Sequence, residues 1–257
     1  VTAQPFKVVL AAVVLFLLAS PAGGQTREVA VVYDDSGSMG RADNPIAPWR
    51  NANYALQALI GLLDPRDALT VVLMGDTQNP IRIDLRQRTA EIDRVYQGYR
   101  TRGRTPYESV LSAMAVLSES ARREQAANAT PSEKWLIVIT DGEFQVPPEA
   151  ARTLREDIRA FVTTTGAQVI YLLIGDIQPT VARHWVAETQ ARQYEARTRP
   201  EIIEQMQRIA ADITSRSPQP LPVQVQDRGI SFTSEFPLRR VTVLQQRTRD
   251  EALVTLQ

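Results

Sequence analysis

Apolar and polar positions along the chain follow two alternating rhythms. Four short, nearly continuous apolar runs, Glu28–Tyr33, Ala68–Met74, Trp135–Thr140 and Ala167–Ile174, have the pattern of parallel strands buried on both faces. Between them apolar residues recur at three and four. Trp49, Ala52, Leu56, Leu59, Ile60 and Leu63 form one such face, and Tyr107, Val110, Leu111, Met114, Leu117 and Ala121 form a second. Leu154, Ile158, Phe161 and Val162 make a third, with Gly166 placed to cap its C-terminus, and Ile202, Met206, Ile209 and Ile213 make a fourth. Ile81–Leu85 alternates instead, which predicts an edge strand with one wet face. Strands alternating with helices in this order predict an α/β fold, a mostly parallel sheet covered on both sides.

The two ends depart from this rhythm. Lys7 precedes an apolar run from Val8 to Ala19, followed by Ser20-Pro21-Ala22-Gly23-Gly24. As a helix that run would span roughly 18 Å, short of a hydrocarbon core of about 30 Å. A positive flank, a short apolar stretch and small residues read as a secretory signal peptide over residues 1–24, with an uncleaved membrane anchor as the other reading. The main domain is then 25–216. Ser217-Pro218-Gln219-Pro220-Leu221-Pro222 reads as a Pro-rich linker over 217–222. Val223–Gln226, Ile230–Thr233 and Val241–Leu244 read as short strands of a β-type segment over 223–257. That segment is too short for a core of its own, and it is expected either to pack on the main domain or, the preferred reading, to be part of an incomplete β-domain.

Composition narrows the chemistry. Lys+Arg and Asp+Glu both number 29, so the formal net charge is zero, which argues against binding a nucleic-acid backbone. The absence of Cys removes disulfides, thiolate catalysis and thiolate metal sites, and suits a bacterial envelope better than a disulfide-rich extracellular module. His184 is the single His, so a mechanism needing two imidazoles is excluded. Oxygen chemistry remains.

That chemistry sits in three stretches. Asp34-Asp35-Ser36-Gly37-Ser38 follows the first strand and contains D-x-S-x-S at Asp34, Ser36 and Ser38. Gly103-Arg104-Thr105-Pro106-Tyr107-Glu108 opens a helix, and Thr140-Asp141-Gly142 closes the third parallel strand. In a parallel α/β sheet, strand C-termini and the following helix N-termini share one rim, where ligands bind. Asp34, Ser36, Ser38, Thr105 and Asp141 are therefore expected to meet there as hard oxygen donors, a set suited to Mg²⁺. Each stretch also has a plainer reading. Asp-Ser-Gly-Ser and Asp-Gly make good turns, and Thr105-Pro106-x-Glu108 is a complete capping box. Asp35 is expected on the opposite face from Asp34, and Glu143 reads as a solvated loop carboxylate.

Asp34-x-Ser36-x-Ser38, Thr105 and Asp141 together resemble the metal-ion-dependent adhesion site of a von Willebrand factor type A domain, over roughly Arg27 to Ser217. The resemblance implies a doubly wound, Rossmann-like, mostly parallel six-stranded sheet with one antiparallel edge strand and helices on both faces. It implies that Ser36, Ser38 and Thr105 hold Mg²⁺ through hydroxyls, with Asp34 and Asp141 direct or through water, and with Mn²⁺ or Ca²⁺ as substitutes. It also implies a protein partner whose Asp or Glu completes the metal's shell.

The expectation is therefore an exported, periplasmic or secreted, binding module that is not an enzyme. It would contact a membrane only through an uncleaved N-terminal segment. A serine hydrolase would need a base for Ser36 or Ser38, and neither lies in a G-x-S-x-G elbow. No phosphate loop follows a strand. A Mg²⁺-dependent phosphohydrolase is the best enzyme alternative, and an envelope module with a vestigial site is the third reading.

Overall fold

The apolar runs become the middle of a sheet. A computed structural model describes residues 25–40, 48–98, 105–142, 144, 146–175, 190–214, 223–226 and 229–232. In chain order the elements are β1 (Arg27–Tyr33), α1 (Pro48–Leu62), β2 (Ala68–Leu73), β3 (Asp76–Ile83), α2 (Arg88–Gly98) and α3 (Glu108–Ala126). Then come β4 (Glu133–Thr140), α4 (Pro148–Thr165), β5 (Gln168–Ile174), β6 (Arg192–Ala196) and α5 (Arg199–Thr214). The six strands are ordered β3-β2-β1-β4-β5-β6. Only β3 runs antiparallel, so five strands are parallel. This is the doubly wound α/β arrangement expected from the sequence, with its antiparallel strand at an edge.

Alternation along each strand divides the core in two. Ala30 and Val32 of β1, Val72 of β2, Leu136 and Val138 of β4, and Val169 and Tyr171 of β5 pack under α3 and α4. Val110, Ala113, Met114 and Leu117 of α3 meet them with Leu154, Ile158 and Phe161 of α4. Val29, Val31 and Tyr33 turn to the other face, where α1 and α5 pack on each other. Gly166 ends α4 at φ 67°, and its N–H donates to Val162 O at 2.9 Å. A left-handed residue closing a helix favours glycine.

Four local differences from the sequence reading have physical causes. The edge strand starts at Asp76 rather than Ile81, and Pro80 sits within it, which an edge permits because no outward ladder bond is lost. β6, Arg-Gln-Tyr-Glu-Ala, is polar and half-exposed at the opposite edge, so it has no apolar run to announce it. α2 likewise has few apolar positions. Helix α3 begins at Glu108, with Tyr107 as N-cap and no side-chain cap bond. Ser109 N and Val110 N instead donate to Pro106 O at 3.2 Å and Tyr107 O at 2.9 Å. That tight turn moves the helix start past Thr105, so the capping-box reading of Thr105 is not realised. A reciprocal box does form at α5, where Thr198 N donates to Glu201 Oε2 at 3.4 Å and Glu201 N to Thr198 Oγ1 at 3.5 Å.

The strands' N-terminal ends carry ion pairs. Glu28 of β1 lies beside Lys134 of β4 in register, and Lys134 Nζ is 3.3 Å from Glu28 Oε2 and 2.7 Å from Glu124 Oε2 of α3. The Lys134 side chain is only 1% exposed. Ser120 Oγ donates to Glu28, and Ser132 Oγ to Glu124 Oε1 at 2.6 Å. Burial would raise the Glu124 pKa, but the bonds from Lys134 and Ser132 outweigh it and lower the value below the ordinary 4.5. Nearby, Arg27 pairs with Asp67 at 3.4 Å.

A separate two-stranded antiparallel hairpin joins β7 (Val223–Gln226) to β8 (Gly229–Phe232), with Gln226 opposite Gly229. It falls outside the unit Pro21–Arg216 that holds the sheet. Among the described residues no helix is long and apolar enough to cross a membrane. Residues 1–24, the Pro-rich 217–222, Val241–Leu244, Glu143 and His184 lie outside the described residues.

Candidate functional site

β1 and β4 are neighbours with Tyr33 opposite Ile139. Continuing that register one residue places Asp34 beside Thr140 on the face that carries α3. Both are almost fully buried, at 0% and 1% exposure. Asp34 N donates to Ile139 O at 3.0 Å, holding the chain in ladder geometry past the last strand residue. The chain then turns. Met39 N donates to Ser36 O at 3.2 Å and Gly40 N to Gly37 O at 3.3 Å. Met39, fully buried, pins this turn into the core, and its carbonyl accepts from Trp49 N at 3.1 Å at the start of α1.

The turn folds Ser36 and Ser38 back onto the strand ends. Asp34 Oδ1 accepts from Ser36 N at 2.8 Å. Ser36 Oγ and Ser38 Oγ are 2.9 Å apart, and Ser38 Oγ donates to Asp141 Oδ1 at 3.1 Å. Four of the five predicted residues thus form one hydrogen-bonded chain running from β1 to the end of β4. Asp34 and Ser36 are buried, Asp141 is 4% exposed and Ser38 is half-buried.

Thr105, the fifth, is brought to the same rim by α3. Ser112 Oγ, in the first part of α3, donates to Thr77 O at 2.6 Å. Thr77 lies in β3 beside the C-terminal end of β2, because Asp76 is opposite Leu73. Ser120, two turns later, reaches Glu28 at the N-terminal end of β1. Helix α3 therefore runs antiparallel to β1, and Thr105, three residues ahead of its start, lies at the C-terminal rim. It is 8% exposed.

Asp35 stands apart. Its Oδ1 accepts from Gly75 N at 2.6 Å, tying the end of β1 to the turn between β2 and β3. This agrees with its expected place outside the set. Thr140 was not singled out from sequence. Its Oγ1 donates to Asp34 Oδ2 at 2.6 Å and accepts from Gly142 N at 3.1 Å. Within the strand run Trp135–Thr140 it reads as an ordinary β-branched strand residue, and only the strand register reveals it.

Both hydrogen bonds that Asp34 receives from the described residues come from neutral donors, and no Lys or Arg among the described residues forms an ion pair with it. A buried carboxylate left in this state is costly unless a positive charge is supplied. Among the described residues there is no cluster of three or more His, Cys, Asp or Glu, so a cation here would rely on two carboxylates and the hydroxyls around them. That donor set is hard and oxygen-only, and it fits Mg²⁺ or a similar ion.

Residues 29–143 match the family model described as von Willebrand factor type A domain. No curated protein matches the chain. Solved structures of similar fold include the pilus adhesin SpaC from Lactobacillus rhamnosus GG, with TM-score 0.55, 11% identity and coverage of 75% of this chain and 31% of that one. The N-terminal domain of TFIIH p34 has TM-score 0.51 and 11% identity, with 71% of this chain and 96% of that chain covered. Proximal thread matrix protein 1 from the mussel byssus has TM-score 0.50 and 11% identity, with 79% and 48% covered. This chain thus spans under half the length of the byssus protein and about a third of the adhesin.

Proposed function

We propose that this chain is a von Willebrand factor type A domain that binds a protein partner through a divalent cation held by Asp34, Ser36, Ser38, Thr105 and Asp141. Mg²⁺ is the expected ion, with Mn²⁺ or Ca²⁺ as substitutes. The observation that carries the reading is the chain Asp34–Ser36–Ser38–Asp141, in which the buried Asp34 carboxylate receives, among the described residues, hydrogen bonds from neutral donors alone. Hydroxyl ligands neutralise little of a cation's charge. When bound, the ion supplies an electrophilic centre that attracts an Asp or Glu of the partner. The protein's own part is to fix donors from β1, the residues before α3 and the end of β4 at one rim. A charge-assisted contact at such a rim can dominate a small interface.

On this reading the chain is a binding module and not an enzyme. Ser36 and Ser38 bond each other and Ser38 donates to Asp141, an arrangement suited to ligands of one ion, and no imidazole lies among the described residues to activate either hydroxyl. The similar fold of a pilus adhesin accords with an adhesive or scaffolding role. Export to a bacterial envelope is part of the proposal and rests on the sequence of residues 1–24 alone. The test is capture of envelope proteins on the immobilised chain in Mg²⁺, with and without EDTA. A partner retained in Mg²⁺, released by EDTA and not retained by Asp34→Ala supports the reading. Partners that ignore both treatments contradict it.

A further inference from the structure

We propose that Thr140 is the positioning residue of the cation site, its single hydroxyl orienting Asp34 and shaping the turn that carries Asp141. The inference rests on the reading above, and it assigns a role to a residue outside the D-x-S-x-S, Thr and Asp positions.

The register that sets Tyr33 opposite Ile139 makes Asp34 and Thr140 lateral neighbours. Alternation puts both side chains on the α3 face, as it does Val32 and Val138 before them. Proton bookkeeping then fixes the direction of the bond. Gly142 N–H can only donate, so it occupies a lone pair of Thr140 Oγ1 at 3.1 Å. A hydroxyl has one proton. It goes to Asp34 Oδ2 at 2.6 Å rather than to Gly142 O at 3.5 Å.

Asp34 is thereby held at both oxygens, Oδ1 by Ser36 N at 2.8 Å and Oδ2 by Thr140. A carboxylate oxygen can accept more than one bond, so each retains capacity beyond these two. Because both anchors are neutral, the carboxylate is oriented without being neutralised, which is what a cation ligand requires. The same hydroxyl, through Gly142 N, holds the backbone turn on which Asp141 sits, and Asp141 Oδ1 accepts from Ser38 at 3.1 Å. One buried side chain thus couples the two carboxylates, as outer-shell partners do in metal sites.

The test compares Thr140→Val, which keeps the shape and loses the hydroxyl, with Thr140→Ser, which keeps the hydroxyl. Mg²⁺ is titrated into each purified full chain by calorimetry, and thermal midpoints are recorded in EDTA and in Mg²⁺. Thr140→Val is expected to weaken Mg²⁺ binding about 10- to 100-fold and to shrink the midpoint rise that Mg²⁺ gives, whereas Thr140→Ser stays within about threefold of wild type. If Thr140→Val does not fold, Thr140→Ala against Thr140→Ser carries the comparison, since these differ by the hydroxyl alone. A purely structural threonine would lower both midpoints equally and leave Mg²⁺ affinity unchanged, and that result overturns the proposal. So does a Ser variant as weak as the Val or Ala variant. A wild-type chain that takes up no Mg²⁺ overturns the cation reading itself, and the role of Thr140 falls with it.

Discussion

The two ends of the β1–β4 strand pair place a carboxylate against a lateral neighbour in the same register and on the same face, and they treat it in opposite ways. At the N-terminal end Glu28 meets Lys134, with Glu124 and Ser120 of α3 closing around them. At the C-terminal end Asp34 meets Thr140, with the Ser36–Ser38 turn closing around it. One end is an ion cluster complete within the protein, and it staples α3 to the sheet. The other orients Asp34 with a hydroxyl and an amide, and no Lys or Arg among the described residues pairs with it. The difference teaches that burial of acidic groups alone does not mark a binding site. What distinguishes the C-terminal end is the neutrality of the donors that, among the described residues, hold Asp34.

The contrast predicts unequal responses to substitution, beginning with the largest. Lys134→Met leaves Glu28 and Glu124 without their cation in a mostly buried setting. It is expected to cost about 3 kcal/mol in urea unfolding, near the low end for breaking a buried pair because both carboxylates keep some exposure. Mg²⁺ affinity should stay within about twofold, since the cluster lies at the far end of the strands.

Acid should attack the same end. The folded-state pKa of Glu124 lies below its ordinary value of 4.5, so its contribution is present above that value and is lost as pH falls through the depressed folded pKa. Unfolding curves in EDTA should therefore lose stability on acidification below about pH 4.5. Lys134→Met should show a shallower decline. A Lys134→Met chain with the same acid dependence as wild type would detach Glu124 from this account.

Smaller effects belong to the C-terminal rim. Thr198→Ala removes the reciprocal cap of α5 and is expected to cost about 1 kcal/mol, with Mg²⁺ affinity unchanged. A loss of affinity there would extend the cation site beyond the set argued above. Smallest of all, Asp34→Asn measured in EDTA should leave stability unchanged or raise it by up to about 1 kcal/mol, relief of the buried charge being offset by the lost acceptor. It removes a charge that no ion pair among the described residues offsets, and the Thr140 hydroxyl can turn to Gly142 O, 3.5 Å away. A loss as large as that of Lys134→Met would mean that Asp34 is a structural staple like Glu28.

Much of this was legible in the sequence, for physical reasons. Strands buried on both faces must be apolar throughout, so β1, β2, β4 and β5 announced themselves, and the sites at their ends followed from the rule that parallel strands share a rim. Asp34, Ser36, Ser38 and Asp141 were readable because they sit at those ends, and the structure links them. β6 was invisible because a half-exposed edge strand can be polar. The start of α3 was misplaced because Thr105-Pro106-x-Glu108 has the residues of a cap while the backbone turns on Pro106 O instead. Thr140 was missed because its importance lies in a pairing between strands more than 100 residues apart, and register is not written in either strand alone.

The most direct test of the central claim is a calorimetric titration of Mg²⁺ into the wild-type chain and into Asp34→Ala, both shown to be folded by circular dichroism. Saturable binding to the wild-type chain, abolished by Asp34→Ala, is the predicted result. Equal binding by the two chains, or none by the wild type, would contradict it.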